Sequence, residues 1–462
     1  MTSDYPDWLN PMLVKELRQG LSKGMFTGVF VLVQVVMILF LGVRLLTADA
    51  DVDQYLGGFM DGVLKTGLGM IVLLMLPARG LAAIQEEKKI QTLELVQMTR
   101  LNSQRIVWGK WVAIMSQILL FTVAVMPYGV LRYFLGGMEI LDTLVSLGGM
   151  LLMSMTATAF CIWLSTMGAG VRGLAVLFLV IGFQFATIRV MGLGSSFSLF
   201  PNDALAGIFS AIVSTVFLLT MASSRIASVA ENHAVILRGI ALVAGMVALA
   251  GTVLSGPQWA YVGVPVMVWS IFLALTEMTS EVPSMYAPWL RSGLPGRVAC
   301  RIMNPGWASG LIFSAAVVAI MGLCDYLAFM TKERDLMSAA LVYAMCYLAL
   351  VVPLVVMPVS LAVKHRGIVY LCFHAVCVLI MMIGSATFSA SGFALDSVTP
   401  TGAALWMLSH RASPRDEHWL MGGVAALPIG LLCLLFLLCR SIREFKLMSK
   451  QEAKVTSAKA FS

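Results

Sequence analysis

The stretch that decides the fold runs Met25-Phe26-Thr27-Gly28-Val29-Phe30-Val31-Leu32-Val33-Gln34-Val35-Val36-Met37-Ile38-Leu39-Phe40-Leu41-Gly42-Val43-Arg44-Leu45-Leu46. Gln34 is its one strongly polar interior residue, and its one charge, Arg44, stands close to the end. About 20 such residues, coiled as a helix, cross the hydrocarbon core of a bilayer. Working outward, the spacing predicts eleven further spans, over 63–84, 111–131, 143–167, 171–191, 204–222, 235–254, 257–276, 308–324, 337–362, 367–388 and 421–439. The seventh and eighth are divided only by Ser255 to Pro257. Pro77, Pro127, Pro265 and Pro353 fall inside spans and mark kinks, which a helix bundle tolerates. No alternation of period two with turns points to a β-barrel. The expected fold is an all-α, polytopic helical membrane protein of about twelve transmembrane helices.

Composition agrees. Of 462 residues, 59% are apolar and 12% charged, against roughly 45–50% and about 25% in soluble domains. Mean hydropathy is +0.90. These values exclude a cytosolic enzyme, a disordered chain and a disulfide-built secreted domain. The eight cysteines form no Cys-x-x-Cys pair and mostly sit in apolar runs, so neither a zinc site nor a disulfide framework is expected. No Walker phosphate loop occurs. The first apolar block is too long for a cleaved signal and reads as an anchor.

Lys and Arg give an orientation. With the N-terminus placed in the cytoplasm, 22 of the 31 basic residues fall on that side. Arg44, Lys65, Arg132, Arg189, Lys332, Arg334, Arg411 and Arg415 fall on the other, and Arg79 lies within the cytoplasmic end of the second span. Basic residues are retained on the cytoplasmic side, so both termini are expected there. A net charge of +7 then reports basic loops, and no nucleic-acid partner is expected. The chain divides into a cytoplasmic N-terminus 1–24, a six-span unit 25–230, a second six-span region 231–439 and a basic tail 440–462, expected to lie against anionic lipid.

Polar segments are few, so information concentrates in them. Asn10 is a good N-cap and Pro11 suits the first helical position. Leu13, Leu17 and Leu21 then repeat every four residues, with Lys15, Glu16 and Arg18 on the other face. This predicts an amphipathic helix in the interface, anchored by Trp8. A plain juxtamembrane anchor reads equally well. Between spans two and three lies a dense mixed-charge run, Gln85-Glu86-Glu87-Lys88-Lys89, followed by Ile90 to Val96 and a new helix capped by Asn102 or Ser103. Such a segment can press into a groove on a soluble partner, or serve as a solvated connector.

Two sets of residues together resemble the permease subunit of ABC-2 type ATP-binding cassette exporters. One is Asn10-Pro11-Met12-Leu13-Val14-Lys15-Glu16-Leu17-Arg18-Gln19. The other is Glu86-Glu87, then Gln91-Thr92-Leu93-Glu94-Leu95-Val96, Thr99-Arg100-Leu101-Asn102-Ser103 and Ile106-Val107-Trp108-Gly109-Lys110. The family shows Gly where Gln91 stands and Pro where Arg100 stands. The resemblance covers about residues 8–225. It implies an elbow helix at 10–22, with Asn10, Pro11, Leu13, Leu17 and Leu21. It also implies a coupling segment at 86–103, with Glu86, Glu87, Thr92, Leu93, Glu94, Leu95, Thr99, Leu101 and Ser103 as the residues that meet a partner. That partner is a separate ATP-binding subunit that hydrolyses ATP. This chain would then be no enzyme, bind no cofactor itself, and reside in a bacterial inner membrane. Pairing as a homodimer, or one chain supplying both halves, stays open.

The second half carries less. Asn304-Pro305-Gly306-Trp307 before span nine echoes Asn10-Pro11, but no second Thr-Leu-Glu-Leu follows. His374, in span eleven, reads as an intramembrane polar site, either a proton relay or an interhelical hydrogen bond. Two alternative functions remain: a twelve-span gradient-driven transporter, and a non-transporting assembly subunit. The first lacks the Gly-x-x-x-Asp-Arg loop of the major facilitator type after span two. The substrate is not legible.

Overall fold

The computed structural model describes residues 14, 17, 18, 24–47, 67–85, 103–134, 140–168, 204–227, 231–279, 282, 285–291, 293–329, 336–356, 366, 367, 369, 370, 372–374, 376 and 418–460. Every regular element among them is helical. Six helices are long and apolar enough to cross a membrane: Ser103–Tyr128, Leu144–Ser165, Leu205–Ser224, His233–Leu254, Pro257–Thr276 and Trp307–Ala328. They lie on the third, fourth, sixth, seventh, eighth and ninth expected spans. Thr27–Leu39, Gly67–Leu81 and Cys346–Val355 are shorter apolar helices. The span expected at 171–191 lies outside the described residues, as does most of 367–388.

The chain forms two compact units, Met1–Ala227 and Ser228–Ser462. The first contains α1 (Gly24–Thr47), α2 (Ser103–Phe134), α3 (Ile140–Ser165) and α4 (Ala204–Ser224). Between α1 and α2 the expected second span is not a plain α-helix. A π-helical turn, Ile71–Met75, runs into a 3-10 turn, Pro77–Leu81. Proline has no N–H to donate and fits a first helical position, so Pro77 restarts the helix in a new register rather than bending it. Helix α3 is the hub and packs on α2, α4 and both irregular turns. Phe121, Ile118, Ile162, Leu164, Phe217 and Leu219 fill the interior. The middle of α1 turns an apolar face outward, with Val31, Leu32, Val35, Val36, Ile38 and Leu39 exposed. An apolar patch of that extent marks a membrane or partner surface.

The second unit contains α5 (His233–Leu254), a 3-10 turn at Pro257–Tyr261, α6 (Val264–Thr276), α7 (Ala287–Leu290), α8 (Gly293–Met303), α9 (Trp307–Phe329), α10 (Leu336–Val351), α11 (Pro353–Val356) and α12 (His418–Ala460). Helix α9 is its hub, touching α5, α6, α8, α10 and α12. A Cβ on Gly310 would stand 2.1 Å from the Ala274 carbonyl oxygen, so only glycine lets α9 and α6 cross this closely. Serines and threonines inside the helices bond back to carbonyls one turn earlier, as Thr252 to Ala248 and Thr276 to Phe272 do. That habit satisfies a hydroxyl where water is absent. Residues 440–460 of the expected tail are helical and continue α12. Helix α12 runs 43 residues without a break, and its far portion packs on α7 and the residues around it. Met448 and Val455 join Met285, Tyr286 and Cys300 in one buried cluster, edged by Trp289, Leu290 and Phe445.

Candidate functional site

Most residues expected to couple to a partner, namely Glu86, Glu87, Thr92, Leu93, Glu94, Leu95, Thr99 and Leu101, lie outside the described residues. Ser103 is described: it opens α2 and is buried. Of the elbow residues, Asn10, Pro11, Leu13 and Leu21 are likewise outside. Leu17 is helical and half-buried, as is Val14, while Arg18 is helical and exposed. Next to Ser103, Lys110 is buried within α2, and the Trp111 indole donates to the Met155 carbonyl at 3.2 Å. The Arg79 guanidinium donates to the Gln117 amide oxygen, tying the 3-10 turn to α2. The π-turn and α2 also line a small apolar cleft with Leu68, Val72, Phe121, Val125, Leu147 and Met150.

The densest polar construction among the described residues lies in the second unit, where Arg238, one of the basic residues placed on the cytoplasmic side, meets the Asn304-Pro305-Gly306 stretch. Asn232 caps α5, accepting from the Val235 N–H at 3.4 Å. One and a half turns on, Arg238 is 2% exposed. Its Nη1 donates to the Ile302 carbonyl at 2.6 Å and to Ser309 Oγ at 3.0 Å. Its Nη2 donates to Glu277 Oε2 at 2.9 Å and to the Gly306 carbonyl at 3.3 Å. The Phe313 ring lies under the guanidinium at 5.4 Å. Ser309 Oγ in turn lies 2.6 Å from the Asn304 carbonyl. Asn304, fully buried, accepts from Asn232 Nδ2 at 3.0 Å and donates to Cys300 Sγ at 3.0 Å.

One arginine therefore gathers the start of α5, the end of α6 and the whole α8–α9 turn. A buried guanidinium needs this many acceptors, because an unpaired charge in the interior costs several kcal/mol. Burial pushes the Glu277 carboxyl above its ordinary pKa, and the Arg238 charge and hydrogen bond oppose that rise. The turn geometry depends on Gly306. Its φ of +146° is one that side-chain-bearing residues rarely adopt, and a Cβ there would stand 2.9 Å from Thr279 Oγ1 and 3.1 Å from Met448 Cε.

Helix α12 closes the same end of the unit. The Thr279 hydroxyl donates to Glu444 Oε2 at 2.7 Å. Arg440 donates to the Leu354 carbonyl at 3.3 Å and lies 5.5 Å from the centre of the Trp307 ring. Arg366 is buried nearby; burial, and then the Arg440 charge, lower its pKa, with Glu444 opposing. Burial pushes the Cys300 thiol up to about 12, with Glu452 adding to the rise, so the thiol stays protonated and is no nucleophile. Among the described residues no group of three His, Cys, Asp or Glu could hold a metal. The arrangement is a latch that fixes helix ends; it contains no reactive constellation.

His374 ends an aromatic row. Its ring meets Tyr370 edge-on at 4.8 Å, Tyr370 meets Phe272 at 5.5 Å, and Phe272 meets Trp269 at 5.6 Å. The Tyr370 hydroxyl donates to the Leu350 carbonyl at 2.6 Å.

The latch had a signal in the sequence. Arg238 falls a few residues into one apolar span, Glu277 directly ends the next, and Asn304-Pro305-Gly306 directly precedes the third. Polar residues at the same end of three successive spans share one depth. No family model matches the chain, and neither a curated protein nor a solved structure matches it significantly.

Proposed function

We propose that this chain is the membrane-spanning permease subunit of an ATP-driven exporter of the ABC-2 type. In this reading ATP is bound and hydrolysed by a separate subunit that docks on residues 86–103. Twelve spans, an elbow helix at 10–22, a bacterial inner-membrane location and cytoplasmic termini belong to the same proposal. The observation that carries it is the ordered set of motifs from Glu86 through Thr92-Leu93-Glu94-Leu95 and Thr99-x-Leu101-x-Ser103 to Gly109-Lys110, behind the opening Asn10-Pro11 stretch. The six apolar helices and a helix that starts at Ser103 support it. The test is reconstitution with a candidate ATP-binding protein from a neighbouring reading frame. Glu94→Ala with Leu95→Ala should lower complex formation and coupled ATPase activity at least tenfold; unchanged values overturn the assignment.

One observation favours a gradient-driven transporter instead. Asp325 is buried within the apolar α9, and acids so placed often serve ion pathways. Transport that collapses with a protonophore at constant ATP, and is abolished by Asp325→Asn, would select it.

A further inference from the structure

The far portion of α12 segregates its charge. Met448, Glu452 and Val455 face inward and are buried, and Ser441 shares their side of the helix. Arg443, Lys446, Lys450 and Lys454 are all exposed. At 100° per residue those four cations fall within an arc of about 80°, opposite the buried stripe. Neither acid of this portion is among them: Glu444 is engaged by Thr279 and Glu452 is buried. Leu447 lies beside the cations, 44% exposed.

We infer that this stripe is a docking surface for a soluble protein that presents an acidic face with an apolar contact at its edge. The inference rests on the cytoplasmic placement of the tail proposed above. A polybasic tail that served anionic lipid would lie flat, which requires a turn where the helix leaves the bilayer. Helix α12 has no such turn. At 1.5 Å per residue, Lys450 and Lys454 stand about 15 and 21 Å beyond Arg440 along the axis. The headgroup layer is about 5–8 Å deep on each side, and the surface potential fades within a Debye length of about 8–10 Å. Lys454 therefore lies beyond the headgroups and their field, and Lys450 stands at the outer limit of that field. Leu447 separates protein from nucleic acid: a phosphate backbone offers it nothing, whereas protein interfaces combine apolar contacts with polar ones. Packing on Tyr286 and Cys300 holds the helix rigid, so docking does not have to order it.

The test places p-benzoylphenylalanine at Ala453, exposed beside the stripe, in the full chain in cells. Irradiation should give an adduct with one protein, identified by mass spectrometry. That protein, purified, should bind the full chain in phosphatidylcholine nanodiscs. Arg443→Glu with Lys446→Glu and Lys450→Glu should weaken binding more than tenfold, and Leu447→Ala about fivefold. Unaltered Cys300 protection shows that these variants fold. Adducts with lipid or nucleic acid alone, or binding indifferent to the charge reversals, overturn the inference. Ser449→Cys should react with an impermeant maleimide only after permeabilisation. Reaction in intact cells overturns the topology and the docking together; reaction only after permeabilisation, with no protein adduct, overturns the docking alone.

Discussion

The two units solve the same problem with different materials. In the first, α3 gathers its neighbours through Phe121, Ile162, Leu164 and Phe217, with scattered polar ties such as Trp111 to the Met155 carbonyl and Arg79 to Gln117. In the second, α9 gathers its neighbours through a comparable apolar interior, but one end is bound by a charged latch at Arg238, which bonds four groups at once. The difference is one of tolerance. Apolar packing between helices degrades gradually as atoms are removed, whereas a buried charge fails abruptly when its partner goes.

The sharpest way to break the comparison is Arg238→Met. It strands the Glu277 carboxylate and three carbonyl or hydroxyl acceptors, and should cost about 3–5 kcal/mol, read from the denaturation midpoint in mixed micelles. A loss below about 1 kcal/mol would mean that the latch is peripheral. Gly306→Ala comes next. It forces a left-handed backbone and crowds Thr279, at about 1–3 kcal/mol, with freer access to Cys300 as a second readout. Gln117→Leu, the corresponding cut in the first unit, removes an acceptor from a half-buried guanidinium and should cost about 1.5 kcal/mol; an effect equal to that of Arg238→Met would erase the contrast between the units. The smallest expected effect is on thiol chemistry. With its pKa pushed up to about 12, Cys300 remains a protonated thiol as pH rises from 7 to 9. An ordinary exposed thiol, with a pKa near 8.5, ionises over that range. Maleimide at pH 9 should therefore leave Cys300 unmodified in the folded protein and label it after denaturation, scored by peptide mass spectrometry.

Among the described residues, helical character was legible where apolar residues ran for about 20, because a bilayer leaves the backbone no other way to satisfy itself. The stretch 25–46 is helix from Gly24 to Thr47, and 204–222 is helix from Ala204 to Ser224. Legibility failed where hydropathy is silent. Nothing in Ile71-Val72-Leu73-Leu74-Met75 announces a π-turn. The eighth span opens as a 3-10 turn before α6 because Gly256 and Gly263 both take positive φ. The tenth breaks at Val352, where Pro353 removes a backbone donor. The arginines and lysines of the tail point to anionic lipid and say nothing of what the helix packs against. Its seating on Tyr286 and Cys300 depends on contacts more than 150 residues apart, as Thr279 and Glu444 are at 165. Arg238 was counted toward the inside excess of positive charge, a statistic that says which side a residue occupies and nothing about whether protein encloses it.

That 165-residue separation has a consequence in time. Chains grow at about 5–20 residues per second, so Glu444 is made about 8–33 s after Thr279. Throughout that interval Tyr286, Cys300 and the Gly306 turn have no Met448 or Val455 to cover them. Helix α12, made well after α6, α8 and α9, is thus the one that seals a surface those helices leave exposed. A ribosome stalled before residue 444 would leave an insertion intermediate complete in α5, α6, α8 and α9, yet still open along one side to chaperones and to proteases.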